Sequence, residues 1–436
     1  MVSEKHPMEL LDNLLFPKIF QTFRMAIQPT KLLIAFSALV IICLAGWLMD
    51  FSKTVVAVRG PQSRETELQI YMVNPQGVQP YIEKLKEKGE RTGVFSTLWQ
   101  FATVRFNGAV ESLFALNLPG VAADIVDCFK AVRWALKYHF LYCVVFFVIT
   151  LAAISAGGGA ICRIAALQFA QGEKPGLKEA VRFSAKKFTS FFGAPLVPVG
   201  MVIFIGVFIF ILGLIGNIPR AGELIMAIFM ALALIAGALI AIVAIGAIAG
   251  FNLMFPAVAY DGSDCFDSIS RAFSYVYAKP WRMGFYTVIA AIYGAICYTF
   301  VRFFAFLLLW VTHRFLQLGV WADNSSKEVN KLIAIWPEPK FIKLVDPSSL
   351  AAANWSESLS AFLVELLLLA VVGLVVSFII SFYFSANTII YSLMRNRVDN
   401  TALNDIYTPR IDEEKPEPTT AKTGSEKTQP QSESET

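Results

Sequence analysis

Three carboxylates, Asp261, Asp264 and Asp267, stand at every third position of the stretch FPAVAYDGSDCFDSISRAFSYVYAKPWR. That spacing keeps successive acids close along a turn or a helix start, which is where a cation site would begin. A calcium loop needs further oxygen ligands at alternate positions and a closing Glu, and the stretch supplies neither. Carboxylates in the first turn of a helix are favoured by its dipole and by the free backbone N–H groups there. That accounts for Asp264 and Asp267 without an ion. His6, His139 and His313 lie far apart, and Cys43, Cys128, Cys143, Cys162, Cys265 and Cys297 form no C-x-x-C. Metal sites need closely placed donors, and the cysteines read as small hydrophobes. No metal and no cofactor is expected.

Two ionisable residues fall inside apolar stretches, Arg302 and Glu365. Such residues at membrane depth suggest function by default. Arg302 follows Arg282 by 20 residues, about 30 Å along a helix at 1.5 Å per residue. The two either pair within a substrate path, or lie at the outer interface and pair structurally or snorkel. Lys178, Arg182, Lys186 and Lys187 form the most basic short stretch. They either contact anionic lipid headgroups, at about 1 kcal/mol each, or simply mark the cytoplasmic side. No nucleotide or nucleophile motif accompanies these groups. An intramembrane enzyme would need His, Asp or Ser clustered within spans, so no enzyme is expected.

The elements that position these residues follow from composition. Of 436 residues 56% are hydrophobic and 16% charged, against roughly 25% charged in soluble domains. Apolar runs at 32–49, 140–160, 192–215, 224–251, 283–309 and 359–384 have about the 20 residues that cross a hydrocarbon core of about 30 Å. The expected fold is all-α and polytopic, with about six transmembrane helices. The first run lacks a cleavage site behind it and reads as an uncleaved anchor. Basic residues cluster at helix ends rather than among aromatics, so nucleic acid is not an expected partner.

Six spans put both termini on one side. Lys18, Arg24, Lys31, the 163–187 return, Arg395 and Arg397 all fall there, and the positive-inside rule makes it the cytoplasm. The expected organisation is a cytoplasmic amphipathic segment, 1–31, whose Leu10, Leu14, Leu15, Ile19, Phe20 and Phe23 share a face lying on the bilayer. A first span over 32–50 and an outward region over 51–133 follow. A five-helix domain over 134–394 carries an outward loop at 311–357, and residues 395–436 form a cytoplasmic tail. Residues 409–436 lack aromatics and are rich in Pro, Glu, Ser, Thr and Lys, so disorder is expected.

The inward turns repeat a pattern. At 163–187, Gly172 and Pro175 precede LKEAVRFSAKKF; at 261–282, Asp261-Gly262 precedes an amphipathic run with Phe266, Ile269, Phe273 and Val276 at 3-4-3 spacing. Each predicts a helix laid along the interface before the chain re-enters. The second copy, with Pro256, Asp261, Gly262, Asp264, Ser270, Arg271 and Trp281, resembles the elbow of uncharacterised bacterial inner-membrane proteins related to the membrane domain of some glycerophosphodiester phosphodiesterases. The resemblance is good over about 30 residues and loose over 130–400, and the phosphodiesterase barrel has no counterpart. It implies fold and inner-membrane location, not catalysis.

The expected function is non-enzymatic: envelope organisation, or a subunit of a membrane assembly, with lipids as partners and any protein partners unidentified. A transporter or lipid-handling protein is the alternative, supported by the repeated hairpins and Pro-containing spans.

Overall fold

The structure is a computed structural model. It describes residues 15–59, 64–85, 90–319 and 355–408 and, between the last two, 332, 335–342 and 344. Leu10, Leu14, the tail 409–436 and most of the 311–357 loop beyond 319 therefore lie outside the described residues.

A short 3-10 turn, Phe16–Gln21, and a helical stub, Thr22–Ala26, lead into helix α1, Pro29–Met49. Beyond it a small antiparallel sheet forms from β1, Val55–Arg59, β2, Arg64–Thr66, and β3, Glu90–Thr92, in the order β2-β1-β3. Ala57 pairs with Thr66, and Val55 with Thr92. Helices α2, Glu67–Val73, and α3, Val78–Leu85, sit between the strands in sequence. A helical hairpin of α4, Val94–Phe114, and α5, Leu118–Tyr138, follows. Then come α6, Phe140–Ala170, α7, Leu177–Lys186, α8, Phe188–Gly216, α9, Gly222–Asp261, α10, Cys265–Ala278, α11, Pro280–Gly319, and α12, Trp355–Asp399.

Among the described residues six helices, α1, α6, α8, α9, α11 and α12, are long and apolar enough to cross a membrane. Their ends sort into two faces. Asp50 after α1 meets Tyr142 near the start of α6, with the sheet and the α4–α5 hairpin beside them. The turns after α6 and α9, the start of α1 and the end of α12 gather at the opposite, elbow face. α12 is the hub and packs on α1, α6, α9 and α11. Its run from Val375 to Met394 holds most of its buried residues, so the core sits toward the elbow face.

The face opposite the elbows is closed by side chains reaching across sequence. The Asp50 carboxylate accepts from the N–H groups of Phe95 (2.9 Å) and Ser96 (2.7 Å) and from the Tyr142 hydroxyl (3.0 Å). A carboxylate there satisfies the free donors of the α4 N-terminus and suits its dipole. Glu67 is almost fully buried and accepts from the Val56 N–H at 2.6 Å, with His139 Nε2 3.5 Å away.

Three expectations need correction. The apolar face expected over residues 15–23 turns mostly into the bundle: Ile19 is buried, Leu15, Phe16 and Phe23 pack on the core, Phe23 meets Phe300 and Phe378 edge-on, and Phe20 stays 48% exposed. The boundary expected between 133 and 134 falls inside α5, Leu118–Tyr138, and the chain breaks instead at His139, which separates α5 from α6. Arg163, expected in the inward return, stays inside α6 at 4% exposure, because its guanidinium donates to the Ala259 carbonyl (3.0 Å) and stacks over Phe183.

Candidate functional site

The two elbows share one local construction. A span ends at a glycine with left-handed backbone, Gly172 at φ 75° and Gly262 at φ 63°, a conformation that costs glycine little. A short helix then lies across the end of the bundle, α7 in the first copy and α10 in the second, and the next span starts directly after it. In the second elbow the Gly262 N–H caps α9 through the Val258 carbonyl, and Asp264 Oδ1 accepts from the Asp267 N–H at 2.9 Å to start α10. Pro256 is buried within α9, and Trp281 is 90% exposed at the start of α11, where an amphipathic ring suits a membrane–water interface.

The three acids are committed to different partners. Asp264 is the α10 cap, and Asp267 pairs with Arg271 at 3.0 Å one turn on. Asp261, with 7% of its side chain exposed, faces Arg395 Nε at 3.2 Å, Arg271 at 3.3 Å and the Tyr391 hydroxyl. Among the described residues no group of three metal-type ligands converges. Burial alone would lower the Arg271 guanidinium, but the neighbouring Asp261 carboxylate holds it above the usual arginine value. Burial raises the Tyr275 hydroxyl above the ordinary tyrosine value, and its 2.5 Å hydrogen bond to Asp399 raises it further. It therefore stays protonated and donates at neutral pH.

Around this carboxylate the chain closes a clasp. Tyr260, Tyr275 and Tyr391 are buried with ring centroids 5.5 and 6.0 Å apart. After α12 the segment 400–408 folds back: the Tyr407 N–H donates to the Tyr260 carbonyl at 2.9 Å, the Tyr260 hydroxyl to the Leu403 carbonyl, and Arg395 to the Asp405 carbonyl at 2.6 Å. Lys279 reaches the Arg397 carbonyl. Gly262 lies against the Tyr407 ring, where a Cβ would come within 2.3 Å of it. Asp261 Oδ1 faces Arg395 on α12, and Oδ2 faces Arg271 on α10 and accepts from Tyr391 on α12, so the carboxylate ties α9, α10 and α12 together.

The basic residues of the first elbow divide. Lys178, Arg182 and Lys186 are exposed. Lys187 is not available to lipid as expected: its ammonium donates to the Gly262 carbonyl at 2.6 Å, linking the two elbows.

Arg302 and Glu365 do not pair. Arg302, 4% exposed, donates to the Phe341 carbonyl (3.1 Å), the Tyr298 hydroxyl (2.5 Å), Asn107 Oδ1 (3.1 Å) and the Ile342 carbonyl. Its guanidinium is satisfied as a staple between α11, α4 and the 341–342 strand of chain, while Glu365 sits partly exposed on α12 without contacting it.

A lysine at the start of α1 is fully buried. Lys31 is 0% exposed and donates to Gln168 Oε1 (3.0 Å) and Ser385 Oγ (3.5 Å). No carboxylate pairs with it among the described residues. It belongs to a polar seam on α12: Ser381 donates to the Ala26 carbonyl at 2.8 Å, and Ser392 to the Tyr260 hydroxyl at 3.0 Å. The signal was present as Ser377, Ser381 and Ser385 at four-residue spacing within an apolar run.

Fold and contacts together define a helical, multi-pass integral membrane protein with two interfacial elbow helices. No family model, no curated protein and no solved structure matches the chain.

Proposed function

We propose that the protein is a non-enzymatic subunit of a larger membrane assembly that organises the envelope. On this view it resides in a bacterial inner membrane with both termini in the cytoplasm, and its elbow reflects kinship with the membrane domain of glycerophosphodiester phosphodiesterases. The α8–α9 hairpin is the observation that carries the reading. Near the elbow it packs on α6, α10 and α12, but farther out Phe204, Phe210, Leu234 and Ile235 are all about two-thirds exposed. Along it Gly200, Gly206, Gly213 and Gly237 have no atom within 4 Å of the place a Cβ would take. Small residues let helices approach closely in lipid, where packing rather than hydrophobicity drives association. A hairpin with open glycines therefore suits a neighbouring helix. Extracted in lipid discs without detergent, the protein is expected to show, after the disc and lipid mass is subtracted, a protein mass well above the 48.2 kDa of one chain, and alanine-to-phenylalanine changes at Ala233 and Ala241 should return it to a single chain. A single chain before any substitution overturns the proposal.

Lys31 favours the second reading, a transporter or lipid-handling protein. A lysine without a carboxylate is costly to bury in a membrane protein and often lines a pathway. In a chain freed of its six cysteines, Lys31→Cys labelled by an impermeant maleimide from each face in turn would favour transport. Labelling from the elbow face alone, or not at all, is the outcome expected of a subunit.

A further inference from the structure

We infer that the exposed face of α7 is a docking surface for the headgroups of anionic phospholipids, and that the matching face of α10 is not. Residues step round an α-helix by about 100°, which divides α7 into three arcs. Ala180, Phe183 and Ser184 face the bundle and are buried, with Ser184 donating to the Ala156 carbonyl at 2.7 Å. Leu177, Val181 and Ala185 form a second arc that is exposed, the first two by 46% each. Lys178, Arg182 and Lys186 form the third, also exposed, with the exposed Glu179 at its edge, so three basic charges there stand against one acidic. Among the described residues none of these three has a carboxylate partner, whereas Lys187, on the bundle side, is spent on Gly262.

An exposed apolar arc beside an exposed basic arc is the form of a helix lying in the interface. The apolar side chains enter the acyl boundary and the ammonium and guanidinium groups meet phosphates. The helix also ends at Lys187, directly before the span α8, which fixes its depth at the membrane surface. The second elbow repeats the layout without the charge. Phe266 and Tyr277 are exposed on α10, but the neighbouring arc carries Ser270, Ser274, Asp267 and Arg271, and the last two neutralise each other at 3.0 Å. The two copies thus share a shape and differ in what they attract.

The test uses the full chain in discs of phosphatidylcholine containing a minority of phosphatidylglycerol, with the lipids that stay bound counted by native mass spectrometry. Phosphatidylglycerol should be enriched several-fold over its bulk share, since each basic side chain near such a surface is worth about fivefold in partitioning, and the enrichment should fall as salt is raised. The K178Q/R182Q/K186Q variant should lose it, and K178R/R182K/K186R, which keeps the charges, should retain it. Removing three exposed charges from the face opposite the elbows, K84Q/R133Q/K137Q, should leave it unchanged. Enrichment that survives in the first variant, or falls equally in the last, overturns the inference. It is independent of the assembly reading, because a single chain in a disc suffices to show it.

Discussion

Asp261→Ala is expected to destabilise the protein by about 3–5 kcal/mol, the range for removing one partner of a buried ion pair and leaving the other charge uncompensated. Arg395 supplies most of that cost, because its side chain is only 12% exposed. Arg271, at 36% exposure, can turn to solvent, and its pair contributes little. The Arg395–Asp405 pair cannot take over, since Asp405 is 60% exposed and a surface pair is worth about 0–1 kcal/mol. The Tyr391 hydroxyl also loses its acceptor. The effect reads out as an earlier unfolding transition in lipid discs and as faster proteolysis near Tyr407, because the segment that folds back over Tyr260 loses its anchor on α12. A cycle isolates the charge: Asp261→Ala with Arg395→Met should cost less than Asp261→Ala alone. If the single variant unfolds like the parent, the clasp is not a stabilising element.

The spans were legible because an apolar run of about 20 residues has few alternatives in a chain this poor in charge. Where they ended was less so. Arg163 looks like the close of a span, since a charge within an apolar run ordinarily meets the interface. It continues α6 because a carbonyl 96 residues away and the Phe183 ring satisfy it. The sheet was missed for a related reason. Val55, Val56 and Val58 carried the β-branched signal, but the strands are only three to five residues long, and β1 pairs with β3 about 35 residues away, which local periodicity does not record.

At the candidate site the sequence supplied chemistry in the right place and the wrong connections. Gly262, Asp264 and the amphipathic period of α10 are local features, and local turn and cap chemistry predicts them. Asp261 took its meaning from Tyr391 and Arg395, 130 and more residues later. Arg302 invited a pairing with Glu365 because opposite charges at membrane depth are expected to seek each other. Backbone carbonyls at Phe341 and Ile342 satisfied it instead, and carbonyls leave no mark in a sequence. Lys31 was counted as a topology marker at the start of a span, and only the fold shows that α6 and α12 close over it.

Gly158→Leu is expected to prevent normal accumulation of the folded protein, and the three consecutive glycines of α6 explain why. Neighbouring residues on a helix point about 100° apart, so Gly157, Gly158 and Gly159 face three directions. A Cβ on the first would come 3.0 Å from the Ala38 Cβ of α1, on the second 2.4 Å from the Phe384 ring of α12, and on the third 2.7 Å from Phe191 of α8 and Ser184 of α7. Four elements, α1, α7, α8 and α12, therefore touch the α6 backbone at one level, and that close approach lets Lys31, Ser385 and the elbow helices meet above it. Alanine at 158 gains about 1 kcal/mol of helix propensity but must displace a ring, and overpacking costs about 1–3 kcal/mol, so the net is a modest loss. Leucine adds three more carbons to a gap where the Cβ alone already overlaps the Phe384 ring. The comparison that isolates packing is Gly284→Ala in α11, where nothing lies within 4 Å: it should be neutral or slightly stabilising in a thermal unfolding assay. Phe384→Ala should partly restore Gly158→Leu by opening the space the new side chain needs. If Gly158→Leu folds as the parent does and Phe384→Ala brings no relief, α6 and α12 do not pack through this contact, and the convergence of helices on Lys31 would need another support.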